Sequence, residues 1–271
     1  MRLAVTHVTR FRFAEPVRYS IDDTRLTPKP AEGQRILSWS VRGPGKRLDW
    51  TDGHGNAVST FSLTVPHREV ELVAHGEYTW STDHSWLRYP GPDPLPPSFW
   101  LRNTGLAKHD SSVDAVVGDL APRVADIQGR VPLLHEIMYR IRARIAYKLG
   151  ASTVETTALE ALRRGEGVRQ DQSHAFIACC RRLGIPARYV SGYKRIDSDP
   201  PVAGASHAWA EAHVPDLGWV GFDPASGLSP TGDYLKLAVG LDYTEAAPVT
   251  GRRSGVPESD MTVRVEVRRV D

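Results

Sequence analysis

Along the first 80 residues, apolar and polar positions alternate at the period of an extended chain. Leu3, Val5, His7, Thr9, Phe11 and Phe13 fall on one side of a strand, with Arg10 and Arg12 among the mainly polar residues on the other. Further strands are predicted at 36–41, 57–65 and 69–80. Asp52-Gly53-His54-Gly55-Asn56 reads as a turn, because glycine enters positive φ without steric cost. Short strands separated by turn signals predict a sandwich-like or barrel-like β-rich module over residues 1–85.

Residues 86–101 interrupt that pattern. Prolines at 90, 92, 94, 96 and 97 forbid a regular helix or central strand there, and the tryptophans and Phe99 argue for a packed, extended connector. Helical periods begin beyond it. Leu133, Ile137, Ile141 and Ile145 recur every four residues, which predicts an amphipathic helix over 132–146 with Pro132 near its start. Thr157 and Glu160 have capping-box spacing for a short helix. A third helix is predicted from about Arg169 to Leu183, with Phe176, Ile177, Cys180 and Leu183 as its apolar stripe and Gly184 and Pro186 ending it. Strands follow at 187–193, 206–214 and 219–223. Helices followed by an antiparallel sheet make residues 102–271 an α+β domain. Residues 261–270 alternate strictly and predict a last strand that returns to a sheet.

The chain is long enough to bury a substantial core. Its formal net charge of +2 gives no footprint for nucleic acid or an adsorbing membrane face. No apolar run approaches the roughly 20 residues that span a bilayer. Arg2, Arg10 and Arg12 deny the N-terminus a signal-peptide core, so the expected location is cytoplasmic. Cys179 and Cys180 are adjacent, a poor geometry for a disulfide, and read as small buried apolar residues. His174, His207 and His213 lack metal-ligand spacing, His174 reads as a satisfied helix histidine, and no cofactor is expected.

In Ser206–Val214 the odd positions His207, Trp209, Glu211 and His213 share one strand face; in the next strand Trp219, Gly221 and Asp223 do. A histidine on one strand and an aspartate on its neighbour suit a general base and its orienting carboxylate. They meet only if the hairpin pairs odd positions with odd, which requires a connection of three or five residues. Alone, a histidine on a strand face is more often a packed or solvent-facing residue. The third helix adds a second feature. Its N-terminus offers unpaired N–H groups and a positive dipole, where a thiolate is stabilised and an oxyanion can be held. The residue standing there is Arg169.

Residues 167–193 (GVRQDQSHAFIACCRRLGIPARYVSGY), 206–227 (SHAWAEAHVPDLGWVGFDPASG) and 240–251 (GLDYTEAAPVTG) together resemble the core of the bacterial transglutaminase-like superfamily. Members usually carry G-V-C-Q-D, G-I-P-A-R-Y-V-S-G-Y, H-A-W-x-E and G-W-x-x-F-D-P-T. HVTRFRF, PVRYSIDDTRLTPKP, GQRIL and DGHGN resemble the β-module that precedes this core in many bacterial members. The resemblance implies a papain-like α+β fold and a Cys-His-Asp triad for peptide or isopeptide hydrolysis or acyl transfer, on a peptide or protein substrate. It assigns His207 as general base and Asp223 as its orienter, with Gln170, Asp171 and Trp209 as supporting or substrate-binding residues. The nucleophile position falls on Arg169; Ala225 and Ser173 are lesser departures.

A guanidinium stays protonated, its pKa above about 12, and has no lone pair with which to attack a carbonyl. At a helix N-terminus its charge costs roughly 0.3–1 kcal/mol. Beside His207 it lowers the imidazole pKa, and Asp223 or a ligand carboxylate is its natural partner. Three readings follow: a non-catalytic descendant that binds a carboxylate or peptide; an active cysteine protease or transglutaminase of which this copy carries a Cys-to-Arg change; or a hydrolase based on Ser173, one helical turn away. That turn is roughly 6 Å along the axis, too far for an unmoved His207.

Overall fold

The computed structural model describes residues 1–81, 89, 93–196, 206–254 and 259–270. Parts of the proline-rich connector (86–88 and 90–92) and of the loop after residue 194 (197–205) lie outside the described residues. The first strand, β1 (Arg2–Val17), realises the alternation read from sequence. Leu3, Val5, His7, Thr9 and Phe13 are buried. β2 (Ser20–Thr24), β3 (Gln34–Arg42), β4 (Lys46–Thr51), β5 (Ala57–Leu63) and β6 (His67–Trp80) complete the N-terminal strands.

Beyond the connector come α1 (Ser111–Val117), α2 (Arg130–Arg144), β7 (Ala146–Tyr147), α3 (Ala158–Arg164), β8 (Glu166–Gly167) and α4 (Arg169–Arg182). Then follow β9 (Ala187–Lys194), β10 (Ser206–Val214), β11 (Gly218–Phe222), β12 (Tyr234–Gly240), α5 (Tyr243–Ala246), β13 (Val249–Arg253) and β14 (Ser259–Arg269). Three four-stranded sheets result, ordered β14-β1-β6-β3, β13-β2-β5-β4 and β11-β10-β9-β12. The last strand does return to a sheet: β14 lies antiparallel to β1, with Leu3 opposite Arg269, and β13 pairs with β2.

α4 departs from its predicted amphipathic stripe. Residues 171–181 are buried on every side, because the helix is the hub of its domain, packed on β9 and β10 with α1, α2 and α3 around it. α3 aims the chain at the head of this hub. Its capping box is present in both halves, Thr157 with Glu160. Gly165 closes it at φ 72°, a conformation that favours glycine and turns the chain directly into β8 and α4.

The two halves share one hydrophobic cluster. Leu3, Val5, Leu72 and Val265 of the β-module cluster with Tyr193, Leu235 and Leu237 of the third sheet. His7 joins it through a 2.8 Å bond between Nδ1 and the Tyr193 hydroxyl. The odd face of β10, expected to be polar, is also interior: Trp209 and Glu211 are buried beneath the connector's Trp100 and the strands beside it. Glu211 is accommodated by compensation. Lys236 Nζ donates to Oε1 at 2.6 Å, Arg188 Nε donates to Oε2 at 2.7 Å, and Arg188 also pairs with Asp93. Burial opposes the carboxylate's charge, but Lys236 and Arg188 outweigh it and hold Glu211 at about 2.

Removing one member of a buried ionic group strands its partners. Glu211→Ala is expected to cost about 3–5 kcal/mol in urea unfolding, and the double change Glu211→Leu with Lys236→Met to recover much of it. A loss below about 1 kcal/mol for Glu211→Ala contradicts a desolvated network.

Candidate functional site

The site begins at the head of α4. Asp171, the third helical residue, accepts the Val168 N–H at 2.6 Å and the Ser152 hydroxyl at 2.5 Å on Oδ2. A Cβ on Gly167 would stand 2.7 Å from that oxygen, so glycine is required for the cap to close. Asp171 therefore sets the geometry of the first turn. Arg169, two residues earlier, directs Nη1 onto the Ser206 carbonyl at 2.7 Å, with its Cζ 5.7 Å from the centre of the Tyr147 ring. Tyr147 is held beside it because β7 pairs in parallel with β8, immediately before α4.

The hairpin meets the sequence-derived constraint. Val214 pairs with Gly218 across three residues, including Asp216 at φ 66°, and Glu211 and His213 stand opposite Gly221 and Trp219. Odd thus faces odd, and His207 Nε2 reaches Asp223 Oδ2 at 2.7 Å in a buried setting. Sequence reasoning missed two further groups on the same oxygen, the Ser226 hydroxyl at 2.6 Å and the Tyr234 hydroxyl at 2.7 Å. Lys194 Nζ stands 3.3 Å away, and the Ala225 N–H donates to Oδ1 at 3.0 Å. Spacing offered a partial signal for Ser226, three residues beyond Asp223 in a D-P-A-S-G turn; Tyr234 gave none.

Burial opposes ionisation of Asp223, but the His207 bond and charge, Lys194 and Ser226 prevail and hold the carboxyl well below its usual range. For His207 burial prevails and lowers the imidazole pKa, with Asp223 opposing and Lys194 and Arg169 adding to the fall. The expected influence of Arg169 is therefore present but secondary to desolvation. Its expected pairing with Asp223 gives way to the Ser206 carbonyl, since His207, Ser226 and Tyr234 already occupy Asp223 Oδ2.

Because a carboxylate only accepts, Nε2 carries the proton in neutral His207, and Nδ1 keeps a lone pair. Nδ1 is buried and has no hydrogen-bond partner among the described residues. Trp209 backs the imidazole, ring centres 6.3 Å apart at 28°, and Tyr234 meets that indole edge to face. The indole lies so close to Gly192 that a Cβ there would fall 2.5 Å from it.

Arg169, Gln170 and His207 line one cavity of about 320 Å³. Tyr189 lines the same cavity. Asp171 and Trp209 are buried and are not among its lining residues. Ser173 donates its hydroxyl to the Arg169 carbonyl at 2.8 Å, which directs that proton away from His207. Cys179 and Cys180 are buried free thiols, pushed upward in pKa by burial. His174 accepts the Tyr243 N–H on Nε2 at 3.1 Å and is lowered to about 4 by burial, so it is neutral. Among the described residues, no group of three His, Cys, Asp or Glu is placed to hold a metal, and no helix is long and apolar enough to cross a membrane.

Known proteins match both regions of the chain. Residues 119–224 match the transglutaminase-like superfamily, and residues 3–79 match the bacterial transglutaminase-like N-terminal region. An uncharacterized protein of Mycobacterium leprae is 31% identical over 288 residues, covering 99% of both chains. One from Mycobacterium tuberculosis is 30% identical over 274 residues, covering 92% of this chain and 87% of its own. A solved structure from Cytophaga hutchinsonii, described as a candidate cysteine protease, superposes with a TM-score of 0.74 at 20% identity, covering 100% of this chain and 92% of its own; it shares the fold. The chain belongs to the transglutaminase-like superfamily, with the N-terminal β-module of its bacterial members.

Proposed function

We propose that this chain is a non-acylating member of its superfamily, and that its cleft holds a carboxylate-bearing peptide where an active member would attack a carbonyl. One observation carries the reading: Arg169 lines the cavity beside His207 and places a permanent positive charge there. His7 and His207, also in the lining, both have pKa values lowered by burial and are neutral near pH 7. The dipole at the head of α4 has the same sign as the guanidinium. Such a pocket selects anions, and the guanidinium fork matches a carboxylate. Acylation lacks its electron pair, since the guanidinium has none, the two thiols are buried in the core, and Ser173 is committed to a backbone carbonyl.

A second reading is favoured by the intact His207–Asp223 pair with its Ser226 and Tyr234 donors. In that reading the activity is cysteine hydrolysis or acyl transfer, and residue 169 alone separates this copy from it.

Purified protein is expected to show no turnover of peptide or γ-glutamyl amides, while carboxylate-bearing peptides raise its melting temperature and Arg169→Ala abolishes the rise. Turnover that disappears in His207→Ala contradicts the proposal. A second measurement concerns charge. A histidine whose folded pKa lies below its unfolded value contributes stability above about 6.5 that is lost as pH falls below it. Nitrogen NMR should find His207 in the Nε2–H form at pH 7, with a midpoint below 6.5 that rises in Arg169→Ala and falls in Asp223→Asn. A midpoint at or above 6.5 contradicts the neutral base.

A further inference from the structure

The cavity is not built by the α+β domain alone. Besides Arg169 and His207, its lining includes residues of the β-module: His7 and Thr9 of β1, and Met261 and Val263 of β14. The inward row of β14 runs Val267, Val265, Val263, Met261. The first two are covered by the core, whereas Val263 and Met261 are 48% and 60% exposed as the row passes over the cavity. The lining also includes Tyr147, 44% exposed, and Leu149, 80% exposed. Two exposed apolar pairs thus line the same cavity as one positive charge and one unpartnered acceptor. That acceptor, His207 Nδ1, belongs to a cavity-lining side chain only 5% exposed, and the atom is buried with no hydrogen-bond partner among the described residues.

Each feature asks for a different part of a ligand. The guanidinium asks for an anion. A buried lone pair asks for an N–H or O–H donor, since leaving it unmade costs about 1–3 kcal/mol. The apolar pairs ask for a large apolar group. A peptide's last residue supplies all three from a single carbon: the terminal carboxylate, the preceding amide N–H and the side chain. A glutamate or aspartate side chain inside a peptide places its carboxylate one or two carbons further from the N–H and brings no apolar group with it. We infer that the cleft is a receptor for the free C-terminus of a peptide ending in a large apolar residue, with the carboxylate at Arg169, the terminal amide N–H on His207 Nδ1 and the side chain against the β14 and Tyr147 pairs. This rests on the carboxylate-binding reading above and adds to it the identity of the carboxylate and a specificity wall contributed by the β-module.

Calorimetric titration of the full chain with three blocked peptides tests it: acetyl-Ala-Ala-Leu with a free carboxylate, its C-terminal amide, and acetyl-Ala-Ala-Glu amide. The free acid is expected to bind at least about tenfold more tightly than either amide. Exchanging the last amide N–H for an ester oxygen is expected to weaken it several-fold. Met261→Ala with Val263→Ala, both at exposed positions that leave the core untouched, is expected to weaken the Leu peptide on the order of tenfold while sparing acetyl-Ala-Ala-Gly. A glutamate amide that binds as well as the Leu acid overturns the C-terminal assignment, and so does a Leu peptide indifferent to the β14 changes; in both cases carboxylate binding at Arg169 stands. If no carboxylate peptide binds, or binding survives Arg169→Ala, both readings fall.

Discussion

A cation that cannot lose its proton stands at the positive end of a helix, and the rest of the site is arranged around it. Arg169 is held there by the Ser206 carbonyl and the face of Tyr147, which offset the unfavourable dipole. The bond to Ser206 also ties the head of α4 to the strand that carries His207. The same contact that positions the guanidinium therefore fixes its distance from the imidazole. Because the charge is permanent, it sets the polarity of the cavity at every accessible pH.

The fold supplies the dry surroundings in which that charge matters. α4 is buried on all sides, so its first turn is anchored by the core and by the Asp171 cap rather than by solvent-exposed contacts. The third sheet presses His207 and Asp223 against Trp209 and Tyr234, and desolvation then becomes the leading influence on the imidazole. The β-module contributes through β1 and β14, whose inward row continues from the shared core to the edge of the cavity. The pairing of β14 with β1 is what brings Met261 and Val263 to the cavity that Arg169 lines.

Much of this was legible in the residue pattern. Strict alternation located β1 and β14, four-residue recurrence located α2, and parity along Ser206–Val214 and Trp219–Asp223 fixed which side chains could meet. Thr157 and Glu160 revealed a helix start through capping chemistry alone. What escaped depends on contacts distant in sequence. Tyr234 lies on a strand whose residues are all buried, so it shows no alternation, and its bond to Asp223 arises only from the order β11-β10-β9-β12. The partners of Glu211 come from two separate strands, β9 and β12, and no spacing announces them. The polarity of the odd β10 face misled for the same reason: the side chains are polar, but compensating charges make them interior.

The central claim is spatial, that the side chain at position 169 faces the free nitrogen of His207 inside one pocket. Intact-mass kinetics of iodoacetamide labelling on Arg169→Cys measures this directly, with the buried Cys179 and Cys180 giving little background. The account predicts rapid single labelling at neutral pH that slows sharply when His207→Ala is added, because Nδ1 can then no longer take the thiol proton. Labelling no faster than an ordinary exposed thiol, and indifferent to His207→Ala, would contradict it.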